Sequence, residues 1–137
     1  MKVKLHKNGK TQELIDFVSG VKLTEAFGYD APFIFTAKSK GNLKFVNVFR
    51  LDDTPFAKGL LIPRFIHILL GDDVKRSKVA VELMEQAEDY LKLLGYNTTF
   101  AYINKNNRLM SVLAQKFGYK KDTEDDKAFY YFKEIGG

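Results

Sequence analysis

Lys75, Arg76 and Lys78 fall within four residues, where a polar loop gives way to an amphipathic helix. The first N–H groups of a helix lack intrahelical acceptors, and its dipole favours negative charge there. A helix start with three basic side chains therefore suits a phosphate or another anion. Many α/β proteins carry such loops with nothing bound, so this feature alone leaves the ligand open. His67 lies just ahead, in the apolar run Phe65–Leu70. An ordinary histidine pKa of about 6.5 suits proton transfer near neutrality, and a half-buried structural histidine is the competing reading. Asn106 or Asn107 can cap the following helix. Tyr102, Tyr119, Tyr130 and Tyr131 offer hydroxyls, although aromatics at such spacing usually belong to the core. The acidic run Asp122–Asp126 could attract a cation, with a charged surface hairpin as its default reading.

The elements that must position these residues follow from periodicity. Val3 and Leu5 alternate with lysines as a short strand, and Thr11 precedes a helix with Leu14, Ile15, Phe17, Val18 and Val21 apolar. A second short helix is expected through Leu23–Phe27. Phe33–Ala37 and Lys44–Leu51 flank Lys38-Ser-Lys-Gly-Asn42 and read as a hairpin. Pro63 opens a strand through Leu70, and strict alternation puts His67 on the face of Phe65 and Leu69, opposite Ile66, Ile68 and Leu70. Asp72 and Asp73 read as turn residues. The clearest element is a helix with Ala80, Leu83, Met84, Ala87, Tyr90, Leu91 and Leu94 in one stripe. Glu82, Glu85, Glu88, Asp89 and Lys92 lie mostly opposite, with Ser77 as cap and Gly95 as stop. Thr98–Ile103 is a strand. Leu109, Met110, Leu113, Ala114 and Phe117 face one way on the last helix, which Gly118 ends. Ala128–Lys133 pairs with Tyr119–Lys121 across the acidic turn. The order β-α-α-β-β-β-α-β-α-β-β makes an α/β protein with a mixed sheet and helices packed on it.

Composition sets the limits. A chain of 137 residues, 45% hydrophobic and 28% charged, reads as one globular domain over 1–137. It has no cysteine, which excludes disulfides, a thiol nucleophile and thiolate metal sites, and its two histidines, His6 and His67, form no zinc motif. No apolar run reaches the roughly 20 residues of a membrane span, and the basic start has no hydrophobic region after it, so a cytoplasmic protein with no membrane partner is expected. A net charge of +5 fits an anionic ligand, nucleic acid or plain solubility. The strand Lys44-Phe-Val-Asn-Val-Phe49 lacks the aromatic and small residues of an RNA-recognition motif around Asn42–Lys44, which makes a nucleic-acid partner unlikely.

Taken together, the strand, basic loop, amphipathic helix, Leu94-Gly95-Tyr96, strand, Asn104-Lys-Asn-Asn107, helix and Phe117-Gly118-Tyr119 resemble the GNAT (Gcn5-related N-acetyltransferase) superfamily. The match runs from Lys75 to Tyr119 without gaps, about a third of the chain, and the upstream elements agree in order and length. The resemblance implies a GNAT-like acyl-CoA N-acyltransferase fold, with acetyl-CoA as cosubstrate and a small-molecule or protein amine as acceptor. It implies that backbone N–H groups of Lys75, Arg76, Ser77, Lys78, Val79 and Ala80 hold the pyrophosphate, and that Asn107 contacts the coenzyme. The pantetheine arm would run in a slot opened by Phe65–Leu70, which includes Leu69 and Leu70, splaying from Thr98–Ile103. His67 occupies the strand where the family commonly places its base.

Two positions depart from the family pattern. Lys78 stands at its central glycine, where a Cβ crowds the phosphates unless the ammonium compensates. Ala114 stands at the tyrosine that often protonates the leaving thiolate, so Tyr102 becomes the substitute hydroxyl, with Tyr119, Tyr130 and Tyr131 behind it. The same departures motivate the alternative, a catalytically inactive GNAT-fold structural or interaction protein like small phage-encoded proteins with comparable glycine losses. A homodimer is compatible with either reading.

Overall fold

The computed structural model describes residues 1–7, 11–20, 32–54, 59–74 and 78–136. The chain forms β1 (Lys4–Leu5), α1 (Gln12–Gly20), β2 (Phe33–Ser39), β3 (Asn42–Asp52) and β4 (Ile62–Leu70). It continues with α2 (Val79–Leu93), β5 (Thr98–Asn104), α3 (Arg108–Lys116), β6 (Lys120–Glu124) and β7 (Ala128–Glu134). The helix expected through Leu23–Phe27 lies outside the described residues, as do Lys75, Arg76 and Ser77. The strands make one seven-stranded sheet in the order β1-β2-β3-β4-β5-β7-β6. It is mixed: β4 pairs with β5 in parallel, whereas β1–β2, β2–β3, β5–β7 and β6–β7 are antiparallel. No described helix is long and apolar enough to cross a membrane.

The residues gather into two compact units, Met1–Phe49 with Ile66–Glu88, and Arg50–Phe65 with Asp89–Gly137. In the first, the Thr11 Oγ1 accepts the N–H of Leu14 at 3.3 Å and opens α1. Leu14 and Val18 then pack on Ile34, Val46 and Val48. Phe33 stacks on Phe35 at 6.4 Å, and Phe35 meets Phe49 edge-on at 6.1 Å. The β2–β3 turn has φ of 53° at Lys40 and 81° at Gly41, the two positive values of a type I′ hairpin. Along α2, Ala80, Leu83, Met84 and Ala87 are buried as the stripe requires. Glu88, expected on the polar face, is only 4% exposed.

In the second unit, Leu91 is buried, whereas Leu94, expected in the same stripe, is 49% exposed. The helix has already stopped there: Tyr96 N–H bonds to Leu91 C=O at 3.1 Å and Gly95 N–H to Lys92 C=O at 2.9 Å. With φ of 96° at Gly95, this is a Schellman stop that takes Leu94 off the helical path. The stop recurs after α3, where Gly118 has φ of 92° and the N–H groups of Tyr119 and Gly118 reach Ala114 and Gln115 at 3.0 Å. Lys133 Nζ adds a bond to the Phe117 carbonyl at 2.6 Å. Ala114 and Phe117 are buried, but Leu109 is 82% exposed, so the apolar stripe of α3 does not extend over its first turn. β7 pairs with β5 from Thr98↔Glu134 to Asn104↔Ala128. β6 runs on to Glu124, so part of the expected acidic turn is strand.

Candidate active site

Strand β4 carries an irregularity at His67. Ile66 and Leu69 both pack on the cluster of Leu14, Val18, Ile34, Val46 and Val48. Residues three apart point to opposite faces of a regular strand, so an extra residue stands between them, at His67–Ile68. Burial agrees, because Phe65 before the slip and Leu70 after it are both buried although they too differ in parity. Leu69 therefore shares the face of Ile66, and the unbroken alternation expected from the sequence fails at His67. The His67 side chain is half-buried, and its backbone carbonyl accepts the Asn47 Nδ2 at 3.0 Å.

The same unit contains the start of α2. The Lys78 carbonyl accepts the N–H of Glu82 at 3.2 Å, the first rung of the helix ladder. The N–H groups of Val79, Ala80 and Val81 consequently have no acceptor within the helix. Ala80 is fully buried, and Lys78 is exposed at the helix mouth. Ahead of it, Gly71 N–H bonds to the Lys44 carbonyl at 2.9 Å and Lys44 Nζ lies 3.2 Å from Asp73, so Asp73 shapes the turn after β4. A groove of about 630 Å³ elsewhere in this unit, lined by Lys2, Lys4, His6, Lys7 and Lys38 among others, contains none of the candidate residues.

In the second unit, Tyr102 donates its hydroxyl hydrogen to Asp125 at 2.5 Å. Its ring lies 4.7 Å from that of Tyr130, with the Arg64 guanidinium 5.6 Å from its centroid. Arg64 is held in turn by Asp52 at 3.2 Å. The hydrogen bond to Asp125, with desolvation and the carboxylate's charge behind it, pushes the Tyr102 phenol up to about 12. Asp125 is shifted down, first by that bond and then by the N–H groups of Lys127 and Ala128. A thiol has an ordinary pKa of about 8.5, so a phenol this reluctant gives a thiolate its proton only uphill. The raised phenol favours the fold below its unfolded pKa, and that contribution is lost as pH rises through about 12. The lowered Asp125 favours the fold above its unfolded pKa, with loss as pH falls through the folded value. Phenolate absorbance across alkaline pH should include a late-titrating component from Tyr102. Tyr102→Phe removes it and Asp125→Asn returns it toward 10; an unchanged titration in Asp125→Asn would refute the pairing.

The other tyrosines are placed differently. Tyr119 is 2% exposed, and its hydroxyl shares a 2.8 Å hydrogen bond with Thr99, so it belongs to the core. Tyr131 is also buried, and Tyr130 is half-buried. Asn107 is the cap of α3, with its Oδ1 accepting Met110 N–H at 3.1 Å. Among the described residues, no group of three or more His, Cys, Asp or Glu is placed to hold a metal ion. Two features escaped the sequence reading. In the sequence Asn47 is one polar residue within an aromatic strand, and Asp125 is indistinguishable from its acidic neighbours.

No protein-family model matches the sequence, and no curated protein sequence matches it. Solved structures do match. A Bacillus subtilis acetyltransferase in complex with CoA has a TM-score of 0.71 at 14% identity, covering 97% of both chains. A GNAT-family acetyltransferase from Streptococcus pneumoniae gives 0.69 at 15% identity, covering 98% of both. The ribosomal-protein-S18-alanine N-acetyltransferase of Escherichia coli gives 0.63 at 12% identity, covering 99% of this chain and 94% of its own. With the strand order above, these likenesses establish that the chain has the GNAT acyl-CoA N-acyltransferase fold.

Proposed function

We propose that the protein is an acyl-CoA-dependent N-acetyltransferase that moves an acetyl group from acetyl-CoA to an amine. The observation that carries this reading is one sequence of elements within one unit: a strand that slips at His67, a turn, and a helix whose first N–H groups lack an acceptor within the helix. The N–H groups of Val79 and Ala80 with the Lys78 ammonium suit the pyrophosphate, and Lys75, Arg76 and Ser77 immediately precede them in the sequence. Burial of Ala80 supports the fit, because a larger side chain there would have no room. Leu69 and Leu70 carry the strand edge along which the pantetheine arm lies.

The amine nitrogen attacks the thioester carbonyl carbon, the C–N bond forms, the C–S bond breaks and the thiolate leaves. His67 takes the amine proton, a role for which an imidazole is suited near neutrality. Backbone N–H at the β4 slip steadies the oxyanion, the contribution that most often dominates acyl transfer. Water supplies the proton that the departing thiolate takes up. The test is release of free thiol from acetyl-CoA over a panel of primary amines, polyamines and peptide N-termini. Amine-dependent release that falls in His67→Gln supports the assignment. No release with any amine leaves the inactive interaction protein, the reading motivated by Ala114.

A further inference from the structure

The segment before α1 is tied down more firmly than its own strand pairing explains. β1 has only two residues and pairs with β2 at Lys4↔Thr36 and Leu5↔Phe35. A ladder that short is weak by itself. The Gln86 side chain of α2 adds two bonds: its Oε1 accepts Val3 N–H at 2.9 Å, and its Nε2 donates to the Met1 carbonyl at 3.2 Å. His6 N–H adds a third, to the Ile34 carbonyl at 2.6 Å. What these bonds hold in place is a row of charge. Lys2, Lys4 and Lys7 line the groove of about 630 Å³ together with His6, Thr36 and Lys38, all within the first unit. Among the described residues, no carboxylate pairs with Lys2, Lys4 or Lys7. The acidic residue of the lining, Glu13, is taken by Lys38 at 2.8 Å. Like charges fixed in a concavity repel one another, and the concavity focuses their field on what enters it. Solubility requires neither the groove nor the Gln86 bonds, since lysines on an untethered segment would serve it equally.

We propose that this groove, with its lysines held in place by Gln86, binds a small polyanion carrying two or more phosphate groups. Lysine ammoniums act as point charges with rotatable donors, which suits phosphate oxygens in any orientation. The groove has the volume of a small-molecule site, commonly about 300–1,000 Å³. Single-stranded nucleic acid would instead need aromatic platforms for its bases, and no Phe, Tyr or Trp is among the described lining residues. Fixing the segment beforehand lowers the ordering cost of gathering several lysines round one ligand. The groove is distinct from the mouth of α2, because Lys78 does not line it. The inference therefore stands whether or not the chain transfers acyl groups.

The test titrates sodium tripolyphosphate into the full chain at low salt and follows backbone amide shifts. Saturable shifts are expected at Lys4, His6, Thr36 and Lys38, and affinity read from them should weaken as salt rises. Changing Lys2→Glu and Lys4→Glu together should lower that affinity at least about tenfold. Both side chains are exposed, so the melting temperature should stay essentially unchanged. Gln86→Leu alters no charge and should weaken binding about threefold or more, because the lysines are no longer pre-positioned. Lys78→Glu at the mouth of α2 and Lys120→Glu on β6 should each leave the affinity within about twofold of the parent. Absence of binding, or parental affinity in the double variant or in Gln86→Leu, would overturn the proposal. An equal loss in Lys78→Glu or Lys120→Glu would overturn it too, because the attraction would then be to net charge alone. A mixed-sequence DNA strand of about twelve nucleotides that binds more tightly than tripolyphosphate would overturn the small-ligand class in favour of nucleic acid.

Discussion

On the acetyltransferase reading, Lys78→Glu is expected to lower the affinity for acetyl-CoA at least about tenfold and to leave the melting temperature essentially unchanged. Lys78 stands at the mouth of α2, its carbonyl accepting the first ladder bond while its side chain is exposed. Reversal replaces attraction by repulsion beside a diphosphate, and about 1.4 kcal/mol of lost binding already gives a tenfold change. Exposure keeps the cost to folding within roughly 0.5 kcal/mol. The effect should shrink as salt rises, because the interaction is screened. Lys78→Gly separates the two consequences of this residue. If the side chain crowds the phosphates, glycine binds more tightly; if the ammonium contributes, glycine binds more weakly, though less so than glutamate. Isothermal titration of the three proteins distinguishes these outcomes.

Phe35→Ala is expected to lower stability severely. Phe35 is 1% exposed, stacked on Phe33 and edge-on to Phe49. Truncating such a side chain costs about 3–5 kcal/mol, a large share of the roughly 5–15 kcal/mol that holds a domain folded. Urea unfolding followed by circular dichroism should show a much lower midpoint, or no folded baseline. Leu109→Ala is the contrast: it is equally apolar to delete but 82% exposed, and should shift stability by no more than about 0.5 kcal/mol. A large effect at Leu109 would mean that α3 packs against something it does not touch in this chain.

Much of the fold could be read from the sequence because its signals are local. The α2 stripe, the glycines at 95 and 118 and the Lys40-Gly41 turn each fix a backbone feature within a few residues. Errors came where tertiary packing overrode periodicity. Leu94 has the spacing of the stripe but follows the point at which the Schellman stop ends the helix, and Glu88 is drawn into the interior despite its charge. The break in β4 was invisible for a related reason. Apart from His67, the run Phe65–Leu70 is apolar on both faces, so no alternation of polar and apolar residues marks where the pattern skips. Only the polar residue on the neighbouring strand, Asn47, hints at it, and that hint has meaning only once the strands are paired. The basic helix start was legible by charge alone. The Tyr102–Asp125 bond spans 23 positions, and no local pattern selects Asp125 from its neighbours.

The most direct test of the account is calorimetric titration of acetyl-CoA into the purified protein at low salt. The account predicts a saturable one-site isotherm, weakened at least about tenfold by Lys78→Glu, together with a rise in melting temperature that grows with ligand concentration. A flat titration with no thermal stabilisation would contradict it, and the GNAT fold in this chain would then be serving something other than acyl transfer.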